Sequence, residues 1–123
     1  IAMATMYTAN HYNVVGILTL TESGTTAKLM SRISSGIPIY GVTRHGETQR
    51  RMSLYRGVYP LAYDATQVPR GDVNRAVIAE LESRGLVKDG DRLIITKGDL
   101  SGVEGGTNSM KIVKVGDVVG ERD

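Results

Sequence analysis

Thr21-Glu22-Ser23-Gly24-Thr25-Thr26 sets four hydroxyls and a glycine within six consecutive residues. The stretch follows the apolar run Ile17–Leu20, and a helical pattern starts at Thr25. Where a strand hands over to a helix, several backbone N–H groups lack intrahelical partners and sit at the positive end of the helix dipole. Hydroxyls, amides and dipole together suit a phosphate, which brings a charge of about −1.5 to −2 and three strong acceptor oxygens. A plainer reading stays open, because Ser and Thr also serve as simple caps at helix starts. Glu22 opposes an anion unless its carboxylate turns away or accepts a hydrogen bond from a sugar hydroxyl.

A second candidate is the run Lys97-Gly98-Asp99-Leu100-Ser101-Gly102-Val103-Glu104-Gly105-Gly106-Thr107-Asn108. Its glycines, Gly102, Gly105 and Gly106 among them, let a backbone approach a ligand closely or simply move. Both candidates leave the C-terminal end of a strand, so both belong on the edge where open α/β sheets bind their ligands. Neither fits G-x-x-x-x-G-K-[ST] or G-x-G-x-x-G, which excludes those two nucleotide-binding loops.

Arg44, His45, Arg50, Arg51 and Arg56 make the densest basic stretch. Aromatic interleaving there is poor, so it reads as a solvated helix face or a subunit contact rather than a nucleic-acid surface. No catalytic set emerges. His11 and His45 lack partners at metal-ligand or triad spacing, and Asp89 and Asp91 flank a turn glycine. No general base and no metal ligand is nominated. A small stand-alone phosphotransferase or phosphatase would need one or the other.

The elements that must position these residues alternate between strand and helix, as expected for α/β with a mostly parallel sheet. The pattern predicts a helix from Ile1 to about Tyr12, a strand over 14–20, a helix over 25–33 and a strand over 37–42. It continues with a short helix over 47–55 and a strand over 58–62. Asp72 is expected to cap a helix whose Val73, Ala76, Val77 and Leu81 share one face, with Gly85 as its left-handed stop. Asp89-Gly90-Asp91 turns the chain into a strand over 92–96, and Met110–Val115 supplies the last. The apolar, uncapped start at Ile1 looks like the cut end of something longer. One domain over 1–115 with a polar, frayed tail over 116–123 is the expected organisation.

Composition narrows the class. The chain has 123 residues, 41% hydrophobic and 23% charged, with six Tyr but no Phe and no Trp. Its core must therefore come from Val, Ile, Leu, Met and Ala, as inside a parallel sheet. A formal charge of +2 is too mild to demand nucleic acid, though it favours small anions. With no Cys there is no disulfide framework, and no apolar run nears the roughly 20 residues that span a bilayer. No basic n-region of a signal peptide is visible, so a cytoplasmic location without a membrane partner is expected.

Several short motifs occur in a telling order: Leu20-Thr21-Glu22-Ser23-Gly24, Met30-Ser31-Arg32, Ile37-Pro38-Ile39, Thr43-Arg44, Leu54-Tyr55-Arg56-Gly57-Val58 and Gly106-Thr107-Asn108. In this they resemble the C-terminal domain of pyruvate kinase, most like the bacterial form activated by AMP and sugar monophosphates. The likeness runs from Ile1 to about Val115. It implies a three-layer α/β/α domain with a five-stranded sheet whose last strand is antiparallel. It also implies an allosteric role. The effector phosphate would sit at Thr21, Glu22, Ser23, Gly24, Thr25 and Thr26, with the loop carrying Lys97, Gly102, Gly105 and Gly106 closing over the rest. The parent glycolytic enzyme moves a phosphoryl group from phosphoenolpyruvate to ADP with Mg²⁺ and K⁺. Those catalytic groups belong to a barrel domain outside this chain, and no cofactor is expected within it.

The remaining polypeptide and other subunits of a homo-oligomer are the implied partners. Relatives that bind a doubly phosphorylated sugar tend to carry basic or aromatic anchors where this chain has Glu22, Asp99 and Glu104, which favours an effector with one phosphate. The alternative expectation is an assembly module whose phosphate turn is vestigial.

Overall fold

The computed structural model describes residues 2–33, 36–97 and 109–116. Five strands form one sheet: β1 Gly16–Leu20, β2 Ile39–Thr43, β3 Val58–Ala62, β4 Arg92–Lys97 and β5 Ser109–Lys114. Their order is β3-β2-β1-β4-β5. The first four run parallel, and β5 pairs antiparallel with β4, as the resemblance implies. The helices are α1 Ala2–His11, α2 Thr25–Ser31, α3 Gly46–Met52 and α4 Val73–Ser83.

Side chains alternate across a strand, and here both faces are covered, so the central strands read as near-continuous apolar runs. On one face Met6, Ala9, Ala27, Met30 and Met52 from α1, α2 and α3 pack on Ile17, Ile39, Val58 and Ile94. On the other, Val73, Val77 and Leu81 from α4 pack on Leu18, Leu20, Leu93 and Ile95. Three layers result. Each fully buried side chain of this kind contributes about 1.5–3 kcal/mol relative to exposure.

Winding direction positions the site. From β1 the chain steps through α2 to β2 and through α3 to β3, always toward one edge. Then α4 carries it back over the opposite face to β4, on the other side of β1. The winding therefore reverses between β1 and β4, and parallel sheets bind ligands at such a reversal, outside the carboxyl ends of the strands.

Element identities follow the sequence pattern, and boundaries shift by a few residues. β1 starts at Gly16 rather than Val14, and β2 at Ile39 rather than Ile37. α3 ends at Met52 because its last turn tightens: Leu54 and Tyr55 donate to the carbonyls of Arg51 and Met52. Asp72 needs correction. It precedes α4 but makes no side-chain cap; its carboxylate pairs with Arg75 at 3.3 Å. The reason lies upstream, where a 3₁₀ turn at Arg70–Asp72 feeds the helix already coiled, with Asp72 at ψ 1° instead of extended. Gly85, at φ 73°, ends α4 as expected, with the Leu86 N–H donating to the Leu81 carbonyl at 3.0 Å. The Asp89–Asp91 turn is also present, closed by the Lys88 N–H donating to Asp91 Oδ2 at 2.9 Å.

Residue 1 and all of the expected 116–123 tail beyond Gly116 lie outside the described residues. Among the described residues no helix is long and apolar enough to cross a membrane.

Candidate functional site

The turn after β1 is held by its own groups. The Thr21 N–H donates to the Val42 carbonyl at 3.0 Å, the last rung of the β1–β2 ladder. Thr21 is buried, and its Oγ1 accepts the Gly24 N–H at 2.9 Å. Gly24 has φ 83° and is itself buried against α3. A Cβ there would lie 3.2 Å from Met52 Cγ and 3.3 Å from Thr48 Cγ2, so both conformation and space require glycine. Ser23 Oγ accepts the Thr25 N–H at 3.3 Å and shares a 2.9 Å hydrogen bond with Thr25 Oγ1.

α3 grips the carbonyl side of the turn. Thr48 Oγ1 donates to the Glu22 carbonyl at 2.7 Å, and Arg51 Nη2 donates to the Ser23 carbonyl at 3.1 Å and to Thr48 Oγ1 at 3.2 Å. The expectation that four hydroxyls converge on one anion is therefore narrowed. Thr21 Oγ1 and the Gly24 N–H serve each other, and Thr26 is buried. Ser23 and Thr25, both half-buried, are the hydroxyls at the rim. The physical cause is general: a polar group taken out of water must find a partner, and inside a tight turn the nearest one is the turn itself.

Glu22 is held by the basic residues that follow β2. Its carboxylate meets Arg44 Nε at 3.2 Å and hydrogen-bonds His45 Nε2. This clasp was not read from the sequence, which assigned Arg44, His45 and Arg51 to a solvated helix face or subunit contact. The signal that could have found it is register. Leu20 pairs with Val42 in parallel, so residues two positions further on, Glu22 and Arg44, emerge at the same level of adjacent strands. Asp64 adds a carboxylate nearby. The Thr66 hydroxyl, then its N–H, hold the Asp64 carboxyl below its ordinary value, with Arg44 contributing a smaller pull.

Lys97 ends β4 in register with Leu20, so the turn and Lys97 flank the reversal point between β1 and β4. The sequence expectation that both leave the same sheet edge holds. Gly102, Gly105 and Gly106 lie outside the described residues. A recess between the turn and the 3₁₀ turn Ala65–Gln67, lined by Glu22, Arg44, Asp64 and Thr66 among others, encloses about 10 Å³, room for roughly one water. Among the described residues no three His, Asp or Glu side chains gather as a metal site.

Fold and site define a doubly wound α/β domain whose C-terminal edge carries a self-bonded hydroxyl turn beside three basic residues and a lysine. The family model for the pyruvate kinase alpha/beta domain matches residues 1–113, and the chain belongs to that family. Pyruvate kinase of Buchnera aphidicola subsp. Acyrthosiphon pisum is 43% identical over 116 residues, covering 94% of this chain and 24% of the relative. Pyruvate kinase II of Salmonella typhimurium shows the same identity and coverage. Pyruvate kinase of Staphylococcus aureus is 38% identical over 119 residues, covering 97% of this chain and 20% of the relative. The chain thus spans about a quarter or less of the length of these relatives.

Proposed function

We propose that this chain is the regulatory part of a pyruvate kinase and that its turn at Thr21–Thr26 receives a small effector with one phosphate, such as AMP or a sugar monophosphate. The observation that supports the reading is the register of Leu20, the residue just before that turn, with Lys97 across the winding reversal, on the sheet edge that suits ligands. Ser23 and Thr25 would offer hydroxyls at the rim, and Arg44 and Arg51 would supply positive charge within reach of it. Glu22, clasped by Arg44 and His45, disfavours a second phosphate. The chemistry of the whole enzyme, phosphoryl transfer from phosphoenolpyruvate to ADP with Mg²⁺ and K⁺, would reside elsewhere in the polypeptide, in the cytoplasm and in a homo-oligomer. Effector binding would bias that assembly by about 1–3 kcal/mol, and phosphoenolpyruvate would tighten effector binding by the same factor.

Calorimetric titration with AMP, ribose 5-phosphate and glucose 6-phosphate tests the reading. Saturable heat with at least one ligand is expected. Ser23→Asp should weaken that ligand at least about tenfold by like-charge repulsion, with the fold kept. No heat from any of the three at millimolar concentration, or unchanged affinity in the variant, removes the turn as the site.

One observation favours the alternative, an assembly module with a vestigial phosphate turn: Thr21 and Gly24 already satisfy each other. Light scattering after size exclusion, showing a concentration-dependent dimer from a chain that binds no phosphate ligand, would select it.

A further inference from the structure

Residue 22 is held in two separate ways. Its backbone is pinned to α3, because Thr48 Oγ1 donates to the Glu22 carbonyl at 2.7 Å and Arg51 Nη2 donates to the next carbonyl, that of Ser23, at 3.1 Å. Its side chain, only 15% exposed, reaches the segment between β2 and α3. There Arg44 Nε lies 3.2 and 3.3 Å from the two carboxylate oxygens, and His45 Nε2 makes a further hydrogen bond. That segment is fixed in turn: the His45 N–H donates to Thr43 Oγ1 at 3.2 Å, and the His45 carbonyl accepts the Gln49 N–H at 3.0 Å. With both backbones held, the carboxylate can leave Arg44 by side-chain rotation alone. The pair is also not the strongest available. One N–H is shared between two oxygens, whereas a guanidinium bonds a carboxylate or phosphate best through two parallel N–H groups. Arg44 remains 45% exposed, open to an approaching anion.

We propose that Glu22 is an internal competitor for Arg44: its carboxylate occupies the guanidinium in the ligand-free chain, and an effector phosphate must displace it. The proposal rests on the effector reading of the turn and adds how that site is regulated. A phosphate monoester brings a charge of about −1.5 to −2 and three strong acceptor oxygens, more than a carboxylate offers. It can therefore claim the fork that Glu22 holds through one N–H, while a monocarboxylate gains nothing over the group already in place. An effector that needs Arg44 binds only the released form, so its apparent affinity falls by the fraction of chains in which Arg44 is released. A clasp closed in about nine chains of ten weakens binding about tenfold. Glu22 thereby sets the concentration at which the effector registers.

A double-mutant cycle on the full chain tests this, with AMP, ribose 5-phosphate and glucose 6-phosphate titrated calorimetrically into the native chain, Glu22→Gln, Arg44→Gln and the double variant. Glu22→Gln should bind the tightest of the three ligands about tenfold more tightly than the native chain does. In the Arg44→Gln background the same substitution should change affinity by less than about twofold, because no guanidinium is left to release. A gain of equal size in both backgrounds identifies plain repulsion between carboxylate and phosphate and overturns the proposal, as does no gain at all. No heat from the native chain and Glu22→Gln alike removes the turn as the site, and the proposal with it. Nitrogen-15 NMR of the Arg44 Nε–H reads the clasp without any ligand: its resonance should shift in Glu22→Gln. A resonance that stays in place shows that Glu22 does not hold Arg44 in solution and overturns the clasp while leaving the effector reading standing.

Discussion

At the C-terminal edge of the sheet the polar groups around Ser23 are engaged with one another and with α3, whereas at the N-terminal edge aliphatic side chains and Arg56 line a cavity of about 250 Å³. The first edge is small-residue backbone closed by hydroxyls; the second is aliphatic wall with one exposed cation. A ligand at the turn must compete with internal hydrogen bonds, each worth about 0.5–1.5 kcal/mol net. The self-bonded edge should therefore respond strongly to substitution even without ligand, and the cavity edge weakly.

The largest expected effect separates two left-handed glycines. Gly24→Ala should cost about 2–3 kcal/mol, because it adds strain at φ 83° to contacts of 3.2 and 3.3 Å with α3. Gly57→Ala, at φ 73° with nothing within 4 Å, should cost about 1 kcal/mol, the conformational part alone. Urea unfolding midpoints of the two variants measure the gap. Equal losses would show that α3 yields easily and that the turn is not clamped.

A smaller contrast concerns hydroxyls. Thr48→Val keeps the buried volume but leaves the Glu22 carbonyl without its 2.7 Å donor, for an expected loss of about 1–2 kcal/mol. Ser31→Ala removes the 2.9 Å bond to the Arg56 carbonyl at an exposed position, where water substitutes, so a change under about 0.5 kcal/mol is expected. Thermal melts of both variants under one condition decide this. A Ser31 variant that loses as much as the Thr48 variant would make the cavity wall as rigid as the turn.

The smallest effect is pH-linked. Thr66 holds the Asp64 carboxyl below its unfolded value, so the stabilisation it gives is present above the ordinary carboxylate range and is lost as pH falls through the folded-state value. Melting temperatures of the native chain and Thr66→Val should differ at about pH 7 and converge in strong acid. A gap that persists in acid assigns it to packing instead of to the carboxylate.

Much of this was legible in the residues. Mostly apolar runs such as Ile17–Leu20 announce strands buried on both faces, and Gly85 announces a helix stop, because both signals are local. Asp72 misled because capping depends on the backbone that arrives, and a preceding 3₁₀ turn removes the extended residue a cap requires. The turn at residues 21–26 was found, but its inward hydrogen bonds were not. Nothing in Thr21-Glu22-Ser23-Gly24 states that Gly24 will lie under Thr48 and Met52, more than twenty positions away.

The chain by itself determined the α/β alternation, the five strands, the family and the choice of glycine at the turn, since each follows from local propensity, periodicity or motif order. Only the folded sheet decided that Arg44, His45 and Arg51 belong to that turn and that Arg56 faces a cavity at the other edge. Parallel pairing aligns strand ends by register, and helix packing brings distant side chains onto the same backbone. Both are long-range facts that no window of sequence contains.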